Sequence, residues 1–428
     1  MVAQANFHFA PASPTQDTNY TTYEAPWLAA HGGYVAITIP WSQDDTGTTA
    51  PNYTWGADAN ILTYLTNANS GGSCVTNCVP IALTFKVASS PGSNDNTFTP
   101  VYPFSTTYQA SVSAPQPGQA CMCTNYPSLG TWTNACHYVG DGGGFTAAQI
   151  AAGLPVMWQN GTNVNPLMVA WKAFTAAAIA HYKALLGTQF YYLRFGKLGP
   201  NEEQHDYCAA QQYGLPGGGG NITAFESVWL TALTSYIQAE QAANTSNLEL
   251  QTAVNQEQTG NGNWLPDEAA IVVANGEDLA FQGVLSADAG CFAAGTFTPG
   301  TCTDWIDTFR KYASTNIEIQ TTFPSCTNGN SGCGANANIE GSLTVIVPFF
   351  MQQCGLGRKC FYEAFPTDAD CVLATGFTFT TGASGGCFST GQFYNYYQNS
   401  MAPTNFVNGA PIYTSSFKGK AAGTTAQQ

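Results

Sequence analysis

The sequence predicts an α/β protein, a (β/α)8 TIM-type barrel with long disulfide-stapled loops, on three observations. Short apolar runs alternate repeatedly with long segments of helical periodicity. Seven such runs, with an eighth near the N-terminus, match the strand number that closes a barrel. Stretches rich in Gly, Asn, Ser and Thr lie between them, and most follow a run closely, where barrels build the loops of their carboxyl-end face.

In chain order, Asn6 to Ala10 is the candidate first strand, followed by Tyr34 to Trp41 (YVAITIPW) and Val79 to Val87 (VPIALTFKV). Asn165 then caps a helix with Pro166 in its first turn. Met168, Trp171, Phe174, Ile179, Tyr182 and Leu185 space out its apolar face, and Gly187 stops it. Phe190 to Phe195 (FYYLRF) is the next strand. The capping box Thr223-Ala224-Phe225-Glu226 opens a helix that runs to about Ala243, and the strand Leu248 to Val254 (LELQTAV) follows. Leu279 to Val284 (LAFQGV) is a further strand. Thr303 caps a helix through Tyr312, and Ile317 to Phe323 (IEIQTTF) is the strand after it. Ser342 to Cys354 reads as a helix kinked at Pro348, with Lys359 to Phe365 (KCFYEAF) as the last strand. Alternation of this kind calls for a parallel sheet with helical crossovers. A nucleotide-binding open sheet would need a glycine-rich turn between strand and helix, and neither Gly140 to Gly144 nor Gly217 to Gly220 stands there.

The connecting stretches are residues 88 to 145, 208 to 221, 286 to 302 and 326 to 338. Barrels with long loops exceed the usual domain size, so residues 1–428 are read as one elaborated domain, with a polar tail from about Thr414.

Composition narrows the function. Only 9% of residues are charged, and 26 acids against 11 bases leave a net charge of -15. A nucleic-acid binder needs clustered Lys and Arg, and no such run exists, so nucleic acid is not an expected partner. No stretch of about 18 apolar residues is present to span a membrane. Ten of the fourteen cysteines fall in close groups: Cys74 and Cys78; Cys121, Cys123 and Cys136; Cys326 and Cys333; Cys354, Cys360 and Cys371. An even number set among loop residues fits disulfides formed in an oxidising compartment, while the histidine-paired spacings of a zinc site are missing. Secretion is therefore expected, with Met1-Val2-Ala3-Gln4 read as a start residue ahead of a mature exported sequence. Sequons at Asn19, Asn52, Asn160, Asn221 and Asn244 could carry glycans.

In a chain so poor in charge, carboxylates just beyond strand ends stand out. Asp44 and Asp45 follow the Tyr34 to Trp41 run; Asn201, Glu202 and Glu203 follow FYYLRF; Glu363 lies inside the last strand. The stretch Tyr192 to Glu203 (YLRFGKLGPNEE), a strand running into Asn-Glu, resembles the fourth-strand signature of the clan-A glycoside hydrolases, which are retaining (β/α)8 enzymes. The resemblance implies Glu202 as acid/base, Asn201 as a hydrogen-bond partner of the sugar 2-hydroxyl, and a second Glu late in the chain as nucleophile. Glu363 matches best. The step from Phe195 to Asn201 is longer than the family's, and Glu363 falls on the last strand rather than the one before it. A carboxylic acid that protonates the departing oxygen and a carboxylate that attacks the anomeric carbon or activates water are what glycoside cleavage requires.

Each candidate also has a structural reading. Glu202 and Glu203 could be a solvated loop pair, and Glu363 could pair with Lys359 or Arg358. Asp44 and Asp45 could be turn residues or bind a sugar hydroxyl. Arg194 either organises carboxylates or points outward. Trp41 and Tyr192 could stack on sugar rings or pack in the core. Gln282, Gln320 and Asn255 are candidates for polar sugar contacts, or are structural. Gly382-Ala383-Ser384-Gly385-Gly386 matches a nucleophile elbow only formally, because no helix and no later histidine follow it, and it reads as a turn. His205 and Asp206 lack a second histidine at ligand spacing, so neither metal nor cofactor is expected; His181 reads as a packing residue. The expected function is a secreted glycoside hydrolase acting on an oligo- or polysaccharide. The rival is a non-catalytic carbohydrate-binding, surface-layer or adhesive protein, which low charge and many Thr and Asn fit equally.

Overall fold

The computed structural model describes residues 4–9, 34–68, 80–88, 98–112, 121–123, 137–138, 150, 154–157, 164–197, 222–255, 265–284, 311–312, 317–321, 360–364, 406–407 and 410–411. The chain forms two compact units, one of residues 1–37, 60–82 and 278–428, the other of residues 38–59 and 83–277.

Every run expected as a strand is one. The strands are β1 (Gln4–Phe9), β2 (Tyr34–Pro40), β3 (Ile81–Lys86), β4 (Phe190–Phe195), β5 (Leu250–Asn255), β6 (Asp278–Val284), β7 (Ile317–Thr321) and β8 (Cys360–Ala364). They belong to a parallel sheet with alternating helices. In the first unit β6 pairs with β7, β7 with β8, β8 with β1, and β1 with β2, all in parallel. The Val35 amide also donates to the Pro80 carbonyl at 3.0 Å, just ahead of β3. In the second unit β4 pairs in parallel with β5, and the Gly196 amide donates to the Phe85 carbonyl at 2.7 Å. Residues Tyr34 to Ile39 and Ile81 to Phe85 are buried whichever way they face, which is why these strands read as continuous apolar runs rather than alternating ones.

Among the described residues, the helices of ten residues or more are α1 (Asp58–Ala68), α2 (Pro166–Leu186), α3 (Ile222–Ala243) and α4 (Leu265–Ala274). α2 starts and stops as its sequence dictates. The Asn165 side chain accepts from the Leu167 amide at 2.9 Å and donates to the Val156 carbonyl at 3.1 Å, so the cap also ties the helix to the preceding segment. Gly187, at φ +56, takes the left-handed turn that ends it. Its apolar face builds the core of this unit. Trp171 lies 5.0 Å from Trp41 and 5.3 Å from Phe174 between ring centroids, and Phe85 lies 5.4 Å from Phe174 and 5.3 Å from Phe195. Each such ring, fully enclosed, contributes on the order of 2–3 kcal/mol.

One expectation needs correction, and two groups of elements were not foreseen. α3 begins at Ile222, so Thr223 is already inside the first turn and is not the cap. α4 was not expected: its pattern is short, and Pro266 stands in its first turn, where a missing amide costs nothing. The connecting stretch 88 to 145 carries elements of its own. It contains a helix at Thr106–Ser111, capped by the Ser105 hydroxyl, and strands at Cys121–Cys123 and His137–Tyr138 of a small antiparallel sheet completed by Leu154–Pro155. Apart from residues 311–312, the helices expected at 303–312 and 342–354 lie outside the described residues.

Candidate active site

In the first unit, strand register assembles a polar row from residues far apart in sequence. Gln320 on β7 is the register partner of Glu363 on β8, Glu363 of Asn6 on β1, and Asn6 of Tyr34 on β2. Register partners in adjacent parallel strands share a face about 4.8 Å apart. Strand alternation puts Gln4, Glu318, Phe361, His8 and Ala36 on that same face. The opposite face takes Ile317, Ile319, Cys360, Tyr362, Ala364, Ala5, Phe7, Val35 and Ile37, with no charged residue or amide among them. Strands of a parallel sheet are ordinarily apolar on both faces, so a face carrying two carboxylates, three amides and a histidine departs from what packing alone requires.

The sheet is also irregular here. Ile319 pairs with Phe281 and Thr321 with Val284, so Gln282 and Gly283 of β6 together oppose Gln320. Such bulges are concentrated beside active sites, where they redirect a residue. Of the residues expected from the sequence, Glu363, Gln320 and Gln282 thus occupy neighbouring positions on three consecutive strands. Asn6 and His8 were missed. The alternation in Gln4-Ala5-Asn6-Phe7-His8-Phe9 was the available signal, but it acquires meaning only once β8 is known to lie alongside.

In the second unit, Tyr192 and Arg194 of β4 share a face with Gln251 of β5, the register partner of Arg194. The Arg194 guanidinium donates to the Tyr192 hydroxyl and to Gln251 Oε1, both at 3.2 Å, and lies 5.3 Å from the Tyr192 ring centre. Phe195, on the other face, packs on Trp171 of α2. Arg194 is therefore on the face turned away from α2, fully enclosed. Asn201, Glu202 and Glu203 lie outside the described residues, as do His205 and Asp206.

Trp41 and Asp44 sit in the short helix Trp41–Asp44 directly after β2, and both are wholly buried. Trp41 packs among Tyr102, Trp171 and Phe174. One Asp44 oxygen accepts from the Ala57 amide at 2.9 Å and the other from the Tyr182 hydroxyl. Burial nevertheless raises the Asp44 pKa to about 6, since these two donors only partly offset the cost of enclosing the charge. Asp45 accepts from the Gly47 and Asn52 amides at 3.2 and 2.9 Å, pinning the loop that follows; burial raises its pKa too. That loop presents Trp55, whose backbone is held at φ +52 and whose ring stacks on His181 at 4.0 Å, while Asp58 grips His181 Nε2 at 2.9 Å.

A second charged group lies between β4, β5 and α3. Lys197 Nζ is 3.0 Å from Glu240 Oε2, 3.4 Å from Glu277 Oε2 and 2.9 Å from Thr252 Oγ1, all buried. The two carboxylates hold the ammonium form and raise the Lys197 pKa, while burial drives Glu240 well above the usual carboxylate range. Among the described residues no group of three His, Cys, Asp or Glu side chains is placed to hold a metal ion, and no helix is long and apolar enough to cross a membrane.

No family model and no curated protein matches this sequence. Solved structures do. The chain is similar to the catalytic domain of a beta-amylase from Paenibacillus polymyxa at 10% identity and a TM-score of 0.54, covering 95% of this chain and all of that one. A broad-specificity GH5-4 endoglucanase from Bacteroides salanitronis matches at 13% identity and a TM-score of 0.42, over 90% of this chain and 86% of that one. A trimodular GH5_4 endoglucanase matches at 7% identity and a TM-score of 0.47, over 93% and 60%. The first likeness, which spans nearly the whole chain, shows that this chain shares the fold of that catalytic domain.

Proposed function

We propose that this protein is a secreted glycoside hydrolase that cleaves glycosidic bonds of an oligo- or polysaccharide with a pair of carboxylates. The observation that carries the reading is Glu363, set by register between Gln320 and Asn6 on the polar face of a parallel sheet. The end-to-end likeness to a beta-amylase catalytic domain supports closure of the eight strands into a (β/α)8 barrel, whose active sites are built at the carboxyl ends of the strands. Glu363 is the next-to-last residue of β8, in keeping with that placement.

Glu202 is assigned as acid/base from its Asn-Glu context after β4, and Glu363 as the second carboxylate. Glu202 protonates the departing oxygen while Glu363 attacks the anomeric carbon; water, deprotonated by Glu202, then releases the sugar from Glu363. Asn201 is assigned to the sugar 2-hydroxyl. Gln320 and Gln282 are assigned to sugar hydroxyls because they neighbour Glu363 in register or across the bulge. Export and loop-stapling disulfides are proposed from the fourteen cysteines and the 9% charge content.

The test is turnover of soluble starch, carboxymethyl-cellulose, xylan, laminarin and a panel of aryl glycosides, read as reducing ends or released aryl alcohol. Glu363→Gln and Glu202→Gln should each lower kcat/KM by at least ~1,000-fold with an unchanged melting temperature. Wild-type rates in either variant remove that residue from the mechanism, and wild-type rates in both end the reading.

A further inference from the structure

We infer that residues 54–57 form a pH-gated flap beyond the carboxyl end of β2, latched on Asp44, closed in acid and released as the pH rises. Every group the latch uses belongs to the second unit. Asp44 ends the short helix that follows β2, and three amides of the returning chain converge on it. Thr54 and Trp55 donate to its backbone carbonyl at 2.8 and 3.3 Å, and Ala57 donates to its side chain at 2.9 Å. The Gly56 amide donates to the neighbouring Gln43 carbonyl at 3.2 Å. Asp45 holds the earlier half of the loop through the Gly47 and Asn52 amides, which leaves the return segment hanging on Asp44. That segment is strained: Trp55 sits at φ +52, a left-handed conformation that a bulky side chain adopts when its surroundings impose it. The bonds to Asp44 and the stack of the Trp55 ring on His181 supply the constraint.

The latch is also costly when charged. Asp44 is wholly buried, and an ionised carboxylate with about four acceptor sites receives two side-chain hydrogen bonds here, from the Ala57 amide and the Tyr182 hydroxyl. The titratable groups that face it are Asp58 at the start of α1 and His181 and Tyr182 on α2. Asp58 and His181 are paired with each other at 2.9 Å and act on Asp44 in opposite directions. Its chain neighbour Asp45 is turned to the Gly47 and Asn52 amides. Opening the flap returns Asp44 to water and lets Trp55 relax. Closed, burial raises Asp44 from 3.8 to about 6, so the closed form is the better proton binder. Its advantage is complete below the open-state value and is lost as the pH rises through the closed one. The open fraction should therefore climb about 100-fold across that whole range and ~10-fold between about pH 5 and 8.

The test is hydrogen exchange of the full chain by mass spectrometry between about pH 5 and 8, corrected for intrinsic exchange rates. It needs no substrate, so its outcome is independent of the hydrolase reading. Protection of residues 46–57 should fall about tenfold over that range and stay below the protection of α2 throughout. Asp44→Asn keeps the size and removes the titration, so the fall should shrink to under about twofold. Tyr182→Phe takes one donor from the ionised carboxylate and should steepen the fall; it decides alone if Asp44→Asn does not fold, and a fall no steeper than wild type then counts against the latch. Protection independent of pH in the wild type overturns the inference. So does a fall that persists in Asp44→Asn, which would belong to His181, or a loop protected as well as α2, which would open by global unfolding.

Discussion

Replacing Lys197 by Met should cost stability in a way that depends on pH. Lys197 is 2% exposed and has buried partners on every side: Glu240 Oε2 at 3.0 Å, Glu277 Oε2 at 3.4 Å, Thr252 Oγ1 at 2.9 Å and the Phe195 carbonyl at 3.3 Å. Methionine keeps the volume and removes the charge, leaving two carboxyl groups enclosed together with no cation. Removing one member of a buried ion pair costs about 3–5 kcal/mol. An unfolding entropy near ~2.1 cal/mol/K per residue gives ~0.9 kcal/mol/K for 428 residues melting together, so Tm should fall by about 3–5 °C at pH 7.5. The sign with pH follows from Glu240, whose folded pKa lies well above its unfolded value because of burial. A group raised in this way favours folding below its unfolded pKa and loses that contribution as pH rises. Without Lys197 to offset the charge, the gap between variant and wild type should be smallest near pH 4.5 and widen toward pH 8. Adding Glu240→Gln to Lys197→Met should recover much of the loss, because the two side chains share one network. Thermal melts of the three variants from pH 4.5 to 8 would refute this account if the Lys197→Met penalty stayed below ~1 °C at pH 7.5 or did not change with pH.

Two further outcomes are expected. Asp44, raised by burial from 3.8 to about 6, should make the wild type lose up to roughly 3 kcal/mol of stability as pH climbs from 4 to 7, so Asp44→Asn should gain on the wild type over that interval in denaturant melts; a gap that is constant with pH counts against the assignment. If the cysteines are paired, alkylation of the unfolded, unreduced protein isolated from its medium should add no mass, and prior reduction should expose fourteen reactive thiols; full alkylation without reduction would contradict the disulfide proposal.

Much of the architecture was legible because parallel strands and their helices write different periods into the chain. Asn165, Pro166 and Gly187 delimit α2 within a residue of where the structure ends it, since cap, first-turn proline and left-handed glycine each answer a separate backbone requirement. Thr223 misled because a capping-box pattern fits by chance in a chain this rich in Thr, and the true start one residue earlier leaves it inside the helix. α4 was missed because ten residues hold under three turns of periodicity, too few to stand out. The candidate site was half legible. Glu363, Gln320 and Gln282 stood out as polar residues in apolar strands, but Asn6 could not be valued without knowing that the first strand pairs with the last, a contact separated by more than 350 residues. Trp41 and Asp44 drew attention by their place after β2. The structure puts both in the interior, where indole packing and the donors Ala57 and Tyr182 account for them.

This protein meets its enclosed carboxylates in two ways. Glu240 and Glu277 have a lysine within 3.0–3.4 Å. Asp44 and Asp45 are as fully enclosed, but their partners are neutral: the Ala57 amide and the Tyr182 hydroxyl for Asp44, the Gly47 and Asn52 amides for Asp45. Neutral donors offset burial only in part, so Asp44 is raised to about 6 and its proton can come and go near neutral pH, which makes its titration the direct test of how this interior treats a carboxylate without a counter-ion.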